Sequence, residues 1–220
     1  MASKVLENQR QRAPSKRSLE TKSRILNAAE AVFSERGFDG ASIRDIANRA
    51  QVNVALVQHH GGTKDALFFH VVARKAEQLA ILRTDALIRR KRHGPLSLRD
   101  VLSCFITPFL ERVLQGDPSW RAYGRLIAHV SADARWHEIT EKCFDPTVAV
   151  FLEELAVVLP SVSRQQLGAG FVFTVSAMLS LCASRWRIDA MAQPQSDDNL
   201  VQTLLDFCEA GFARAAARPR

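Results

Sequence analysis

The sequence predicts an all-α chain of about nine helices in two units, a three-helix head and a larger helical body. Three observations carry that reading. Apolar residues recur at helical spacing in segment after segment, and no alternating run of strand length occurs. Capping residues, glycines and prolines fall at the ends of those segments. The charge also divides: residues 1–92 hold 18 Lys/Arg against 9 Asp/Glu, whereas residues 93–220 hold 12 against 14. An excess of positive charge confined to the first part points to a polyanionic partner, because neutralised phosphates release counterions.

Taken in order, residues 1–18 read as a flexible basic tail, with Lys4, Arg10, Arg12, Lys16 and Arg17 around Pro14 and no helical apolar pattern. A first helix follows from Leu19 to Arg36, its inner face made by Ile25, Ala29, Val32 and Phe33, and Gly37 ends it. Ser42 and Asp45 form a capping-box pair for a second helix whose apolar face is Ile43, Ile46, Ala47 and Ala50. Gln51, Val52 and Asn53 make a short turn, and Asn53 caps a third helix from Val54 to His59. Gly61 and Gly62 stop it, and Thr63 caps the next. Two helices joined by so short a turn have helix-turn-helix geometry, in which the second helix enters the DNA major groove. The head is therefore residues 19–63.

A connector, residues 64–94, carries a long fourth helix from Lys64 to Ile88 and closes on the basic run Arg89 to His93. Positive charge is favourable at a helix C-terminus, which gives that run a structural role. The body, residues 95–220, follows. Its helices are expected over Ser97–Leu114 with a kink at Pro108, from Pro118 to Val130, over Ala134–Leu159 with a break near Pro146, over Arg164–Asp189, and from Asp197 or Asp198 to Ala216.

The stretch from Thr21 to Phe68 resembles the N-terminal signature of the TetR/AcrR family of one-component repressors. The likeness is carried by Ile25-Leu26-x-Ala28-Ala29, Phe33-x-x-x-Gly37-Phe38, Ser42-Ile43-x-x-Ile46-Ala47, Val52-Asn53-x-x-Leu56-Val57 and Lys64-x-x-Leu67-Phe68. The resemblance implies a homodimer on double-stranded DNA, with a small-molecule effector of unknown identity. Phosphate contacts are expected from Lys22, Arg24, Ser42, Arg44, Thr63 and Lys64, which lie near helix starts. Base reading is expected from Asn53, Val54, Ala55 and Gln58, where Gln58 matches an adenine edge and the small apolar side chains a thymine methyl. The chain departs from the family pattern at His59-His60-Gly61, where aromatic residues are usual. His59 can still donate to a phosphate, and Phe68 or Phe69 is expected to fill the space beside Gly61.

For the body, the resemblance implies an apolar effector pocket, to which we assign Phe105, Phe109, Trp120, Tyr123, Arg125, Ile127, Phe144 and Phe171, with Trp186 as a further wall. Arg121, Arg125 and His129 are the candidate polar anchors. It also implies a four-helix dimer interface, assigned to Leu167, Phe171, Val175, Met178, Leu200, Leu204 and Phe207, with the chain's own core as the competing place for these residues.

Other functions are disfavoured by the residues themselves. No Ser/His/Asp set, GxSxG elbow, P-loop or paired metal ligands occur, so neither an enzyme nor a cofactor is expected. Cys104, Cys143, Cys182 and Cys208 are far apart in apolar stretches and read as buried free thiols. The polar N-terminus is unlike a signal peptide and the apolar runs are short for a membrane span, so a cytoplasmic protein is expected. The remaining rival is a helical adaptor for protein or membrane without DNA binding.

Overall fold

A computed structural model describes residues 15–193 and 196–217. Those residues form eleven α-helices and one 3-10 turn, with no strand among them. In the head, α1 (Lys16–Gly40), α2 (Ile43–Ala50) and α3 (Val54–Gly61) surround Ile25, Phe33, Ile46 and Val57, none of which is exposed. Helix α1 starts three residues before the expected Leu19, because Ser15 caps it by accepting from the Ser18 N–H at 3.2 Å. Lys4, Arg10 and Arg12 of the expected basic arm lie outside the described residues. Near its end α1 breaks at Gly37, whose φ of 68° suits glycine. Phe38 then folds back, its ring centroid 5.2 Å from that of Phe68.

Helix α4 (Lys64–Lys91) runs past Ile88 and carries the basic run expected at its end. That run is structural. Arg90 binds Asp100 through two bonds of 2.7 and 2.8 Å, and Lys91 pairs with Glu154 at 2.5 Å. The end of α4 is thereby fastened to α5 (Leu98–Leu114) and α8 (Asp145–Val158). Helix α5 continues through Pro108 as one element.

The remaining body elements are α6 (Pro118–Ala132), a 3-10 turn (Ala134–Trp136), α7 (His137–Cys143), α9 (Arg164–Ala183), α10 (Arg185–Met191) and α11 (Asp197–Ala216). Two expected helices are thus divided, which raises the count above nine. The segment from Ala134 to Leu159 breaks at Phe144, beside the Asp145–Pro146 start of α8, because proline has no N–H for a continuing helix. The segment from Arg164 to Asp189 breaks at Ser184, and Arg185 beyond it pairs with Asp197.

The buried side chains form one core, continuous from Ile25 of the head to Phe212 of the body. The four cysteines are free thiols. Burial pushes the Cys182 thiol up to about 12. Helix α9 corrects the expectation about apolar runs: it is 20 residues long with a mean hydropathy of 1.6, enough by length and composition to cross a membrane. Only 33% of its apolar window is buried.

Candidate nucleic-acid interface and regulatory cavity

The second and third helices are fixed from their ends. The Ser42 hydroxyl accepts from the Asp45 N–H at 3.1 Å, while the Asp45 carboxylate accepts from the Ser42 N–H at 3.0 Å. The hydrogen bond from Ser42, aided by Arg36, holds the Asp45 carboxyl below its usual range. Gln51 closes α2 in the left-handed region at φ 53°, which turns the chain sharply into α3. The Asn53 side chain accepts from the Leu56 N–H at 2.8 Å, and the Thr63 hydroxyl from the Ala66 N–H at 3.2 Å.

This scaffold leaves one face of α3 outside. Asn53, Val54, Ala55, Gln58 and His59 are exposed, whereas Val57 is fully buried and Leu56 half-buried. The cations of the head fall into two groups. Arg36 and Arg49 are paired with Asp45 and Glu35, at 2.9 and 2.7 Å. Lys22, Arg24 and Arg44 are exposed and have no acidic partner among the described residues. Ser42 and Thr63 are exposed beside them. Unpaired cations around an exposed helix start are the arrangement a phosphate backbone requires. Lys64 differs, since its ammonium sits 4.3 Å from the centre of the Phe38 ring. The space beside Gly61 is taken by Leu67, not by Phe68 or Phe69: a Cβ on Gly61 would come within 2.7 Å of Leu67 Cδ1. Here glycine replaces an aromatic because the following helix fills the volume itself.

In the body, Phe105, Phe109, Tyr123, Ile127, Phe144 and Phe171 line one cavity of about 230 Å³. Its exposed lining residues, Ser131, Asp145, Val172 and Ser176, mark the mouth. Two residues assigned to it lie elsewhere. Trp120 is buried against Lys75, whose ammonium is 5.3 Å from its ring centre, and Arg125 is exposed on the opposite side of α6 from Tyr123. Two residues along a helix are about 200° of rotation apart, so Arg125 cannot share the face of Tyr123. Trp186 is 67% exposed, and Arg121 and His129 point outward as well.

A buried charge missed in the sequence, Arg83, also lines this cavity. It lies on α4, in the connector and not in the body, and a lone arginine in a long amphipathic helix carries no signal of burial. It is 5% exposed and its Nε donates to the Phe105 carbonyl at 2.8 Å. Burial lowers its pKa to about 9.

The assigned dimer residues separate in a similar way. Leu167, Phe171, Met178, Leu200 and Leu204 are buried in the chain's own core and Val175 is half-buried, while Phe171, Val175 and Met178 line the cavity. Helical spacing identifies an apolar stripe but not which of two stripes faces inward. The apolar residues left outside on α9 and α11 are Val172, Phe173 and Phe207, with exposures of 61, 69 and 69%. Phe173 and Phe207 border a groove of about 540 Å³ floored by Gly170, Ala210 and Gly211.

Cavity and head meet through α4. Tyr123 lines the cavity, and its hydroxyl donates to the Val72 carbonyl of α4 at 3.0 Å. One turn along, buried Lys75 binds Glu30 of α1 at 2.5 Å, and Arg74 binds the same carboxylate at 3.1 Å. A second joint is aromatic: the Trp136 ring lies 4.7 Å from Phe38 and 4.5 Å from Phe68. Beside it, Arg135 binds Asp39 at 3.0 Å.

Comparison with known proteins agrees with this architecture. Residues 25–71 match the family model described as bacterial regulatory proteins of the tetR family, and residues 103–211 match that of the tetracyclin repressor-like C-terminal domain. The HTH-type transcriptional repressor Rv3405c of Mycobacterium tuberculosis is 43% identical over 84 residues, which cover 36% of this chain and 45% of that protein. The matched stretch thus spans less than half the length of that curated relative. A TetR-like transcriptional regulator from Rhodococcus sp. RHA1 has a similar fold, with a TM-score of 0.64 at 20% identity over 94% of this chain and 100% of that one. So does a tetR-family transcription regulator from Shewanella sp. PV-4, with a TM-score of 0.66 at 14% identity over 86% of this chain and 96% of that one.

Proposed function

The chain belongs to the TetR family of bacterial transcriptional regulators, and we propose that it is a homodimeric repressor that leaves a palindromic operator when a small molecule enters the body cavity. The observation that carries the ligand response is the double role of Tyr123. It walls the cavity and holds the Val72 carbonyl of α4, next to the buried Lys75–Glu30 pair that grips α1. An occupant that displaces Tyr123 therefore moves the helix on which the head is mounted, and its binding energy is coupled to head position. The repressor sense is favoured by the Mycobacterium tuberculosis relative, which is named a repressor.

The outer faces of α9 and α11 support the dimeric reading. Val172, Phe173 and Phe207 are large apolar groups in water, and Gly211 beside them has nothing within 4 Å of a Cβ built on it, which leaves room for a helix from a second copy. A two-fold dimer presents two α3 helices to half-sites about 34–36 Å apart, or a multiple of that spacing. The functional division is a head of residues 19–63, extended back to Lys16, a connector of 64–94 and a body of 95–220.

The test is selection of bound duplexes from a random pool by the full chain, followed by sedimentation of the complex. A palindromic consensus with an even number of chains per duplex is expected. A single asymmetric half-site bound by one chain overturns the dimeric reading, and absence of any retention at low salt favours the adaptor.

A further inference from the structure

Arg83 is the unusual charge of the body. Buried arginines are rare unless paired, because an isolated ion loses hydration that nothing returns. The other buried cation among the described residues, Lys75, has Glu30 at 2.5 Å. Arg83 has no carboxylate partner among the described residues: Nε uses the Phe105 carbonyl, Nη2 faces the Met178 sulfur at 3.8 Å, and the guanidinium lies 3.6 Å from the centre of the Phe105 ring. A guanidinium has five N–H donors in a planar fork, and a thioether is a weak acceptor. Donors are therefore left over on a side chain that lines the cavity.

We propose that the cavity takes a small monoanion, with an apolar body and a carboxylate-like group held by the Arg83 fork. The proposal deepens the ligand-responsive reading and rests on it. A planar carboxylate matches the fork and supplies the missing counter-charge. Phe109, Phe144 and Met178 supply apolar walls for the rest of the molecule. Only Arg83 and Asp145 carry full charge among the lining residues, and exposed Asp145 at the mouth disfavours a second negative charge there. The volume of about 230 Å³ exceeds the ~150 Å³ of an apolar cavity that accepts benzene, so a single-ring or short-chain acid fits. Arg83 shares α4 with Val72 and Lys75, so the anion acts on the same helix that carries the head.

Calorimetry on the full chain tests this with matched pairs: 3-phenylpropionate against 3-phenylpropionamide, and hexanoate against hexanamide. The acids are expected to bind at least about tenfold more tightly than the amides, and Arg83→Met to remove that preference without lowering the melting temperature. Equal binding of acid and amide, binding of none of the four, or an acid preference that survives Arg83→Met overturns the proposal. Should Arg83→Met fail to fold, a crystal of the unaltered chain with 3-phenylpropionate decides it: a carboxylate on Arg83 supports the site, and one elsewhere overturns it. Release of DNA is measured separately. An acid that binds at Arg83 yet leaves duplex affinity unaltered contradicts the ligand-release reading and leaves the anion site standing.

Discussion

Gln58 and His60 are two residues apart on α3, yet their side chains face different surroundings. Gln58 is exposed on the outer face, with an amide suited to a base edge. Gln58→Ala is expected to cost about 1–3 kcal/mol at one operator position and to relax preference there, seen as a flattened column in a selected-site logo. His60 is half-buried, and burial, then His59 and Lys22, hold its imidazole below the usual 6.5. A base depressed in the folded chain takes up a proton on unfolding, so its contribution to stability is complete above pH 6.5 and is lost as pH falls through the lower folded value. Urea midpoints are therefore expected to fall more between about pH 7.5 and pH 5 in the unaltered chain than in His60→Gln. Much of this scale was legible in the sequence. Ser42, Asn53 and Thr63 declared themselves as caps, because capping depends on residue type and local spacing. Whether a cation is free or paired was not: Arg36 and Arg44 look alike in sequence, and only tertiary contact gives Arg36 its carboxylate. Arg83 was hidden for the same reason.

At the scale of elements, the joint between α1 and α4 is ionic, with Glu30 and Lys75 both buried. Removing one partner of a buried pair strands the other, so Glu30→Ala is expected to lower unfolding stability by about 3–5 kcal/mol, whereas Glu30→Leu combined with Lys75→Leu costs less. Chemical denaturation of the single and double variants measures the difference, and equal losses would contradict a stranded ammonium. The outer face of α9 and α11 gives a second prediction. Phe173→Glu is expected to yield monomers by sedimentation while keeping the helical circular dichroism of the parent, because that ring is 69% exposed and contributes little to the chain's own core. Element boundaries followed the punctuation of the chain wherever glycine, proline or a cap marked them, as at Gly37, Pro118 and Pro146. The break at Ser184 carries no such mark. It is stabilised by the Arg185–Asp197 pair, which ties the start of α10 to the start of α11. The inward and outward stripes of α9 could not be told apart, since both are apolar and the helix as a whole resembles a membrane span.

Across the whole molecule, charge and apolar surface divide the labour. The head presents Lys22, Arg24 and Arg44, without acidic partners among the described residues, around an exposed α3, and the body offers a cavity and an exposed apolar face. One continuous core joins them, and a packed interior transmits strain from one part to the other. The two-part plan could be read from the charge split, but the contacts that couple the parts, Tyr123 to Val72 and Lys75 to Glu30, are 51 and 45 residues apart in sequence and left no local trace. The claim on which this account rests is that the head's unpaired cations bind duplex phosphates. Fluorescence anisotropy of a selected duplex across a salt series measures it directly, comparing the unaltered chain with Arg24→Ala/Arg44→Ala. Each lost phosphate contact lowers the slope of log K against log salt by about 0.9, so the double variant is expected to bind all sequences more weakly with a slope smaller by roughly 2 per chain. A slope identical to that of the unaltered chain would contradict the account.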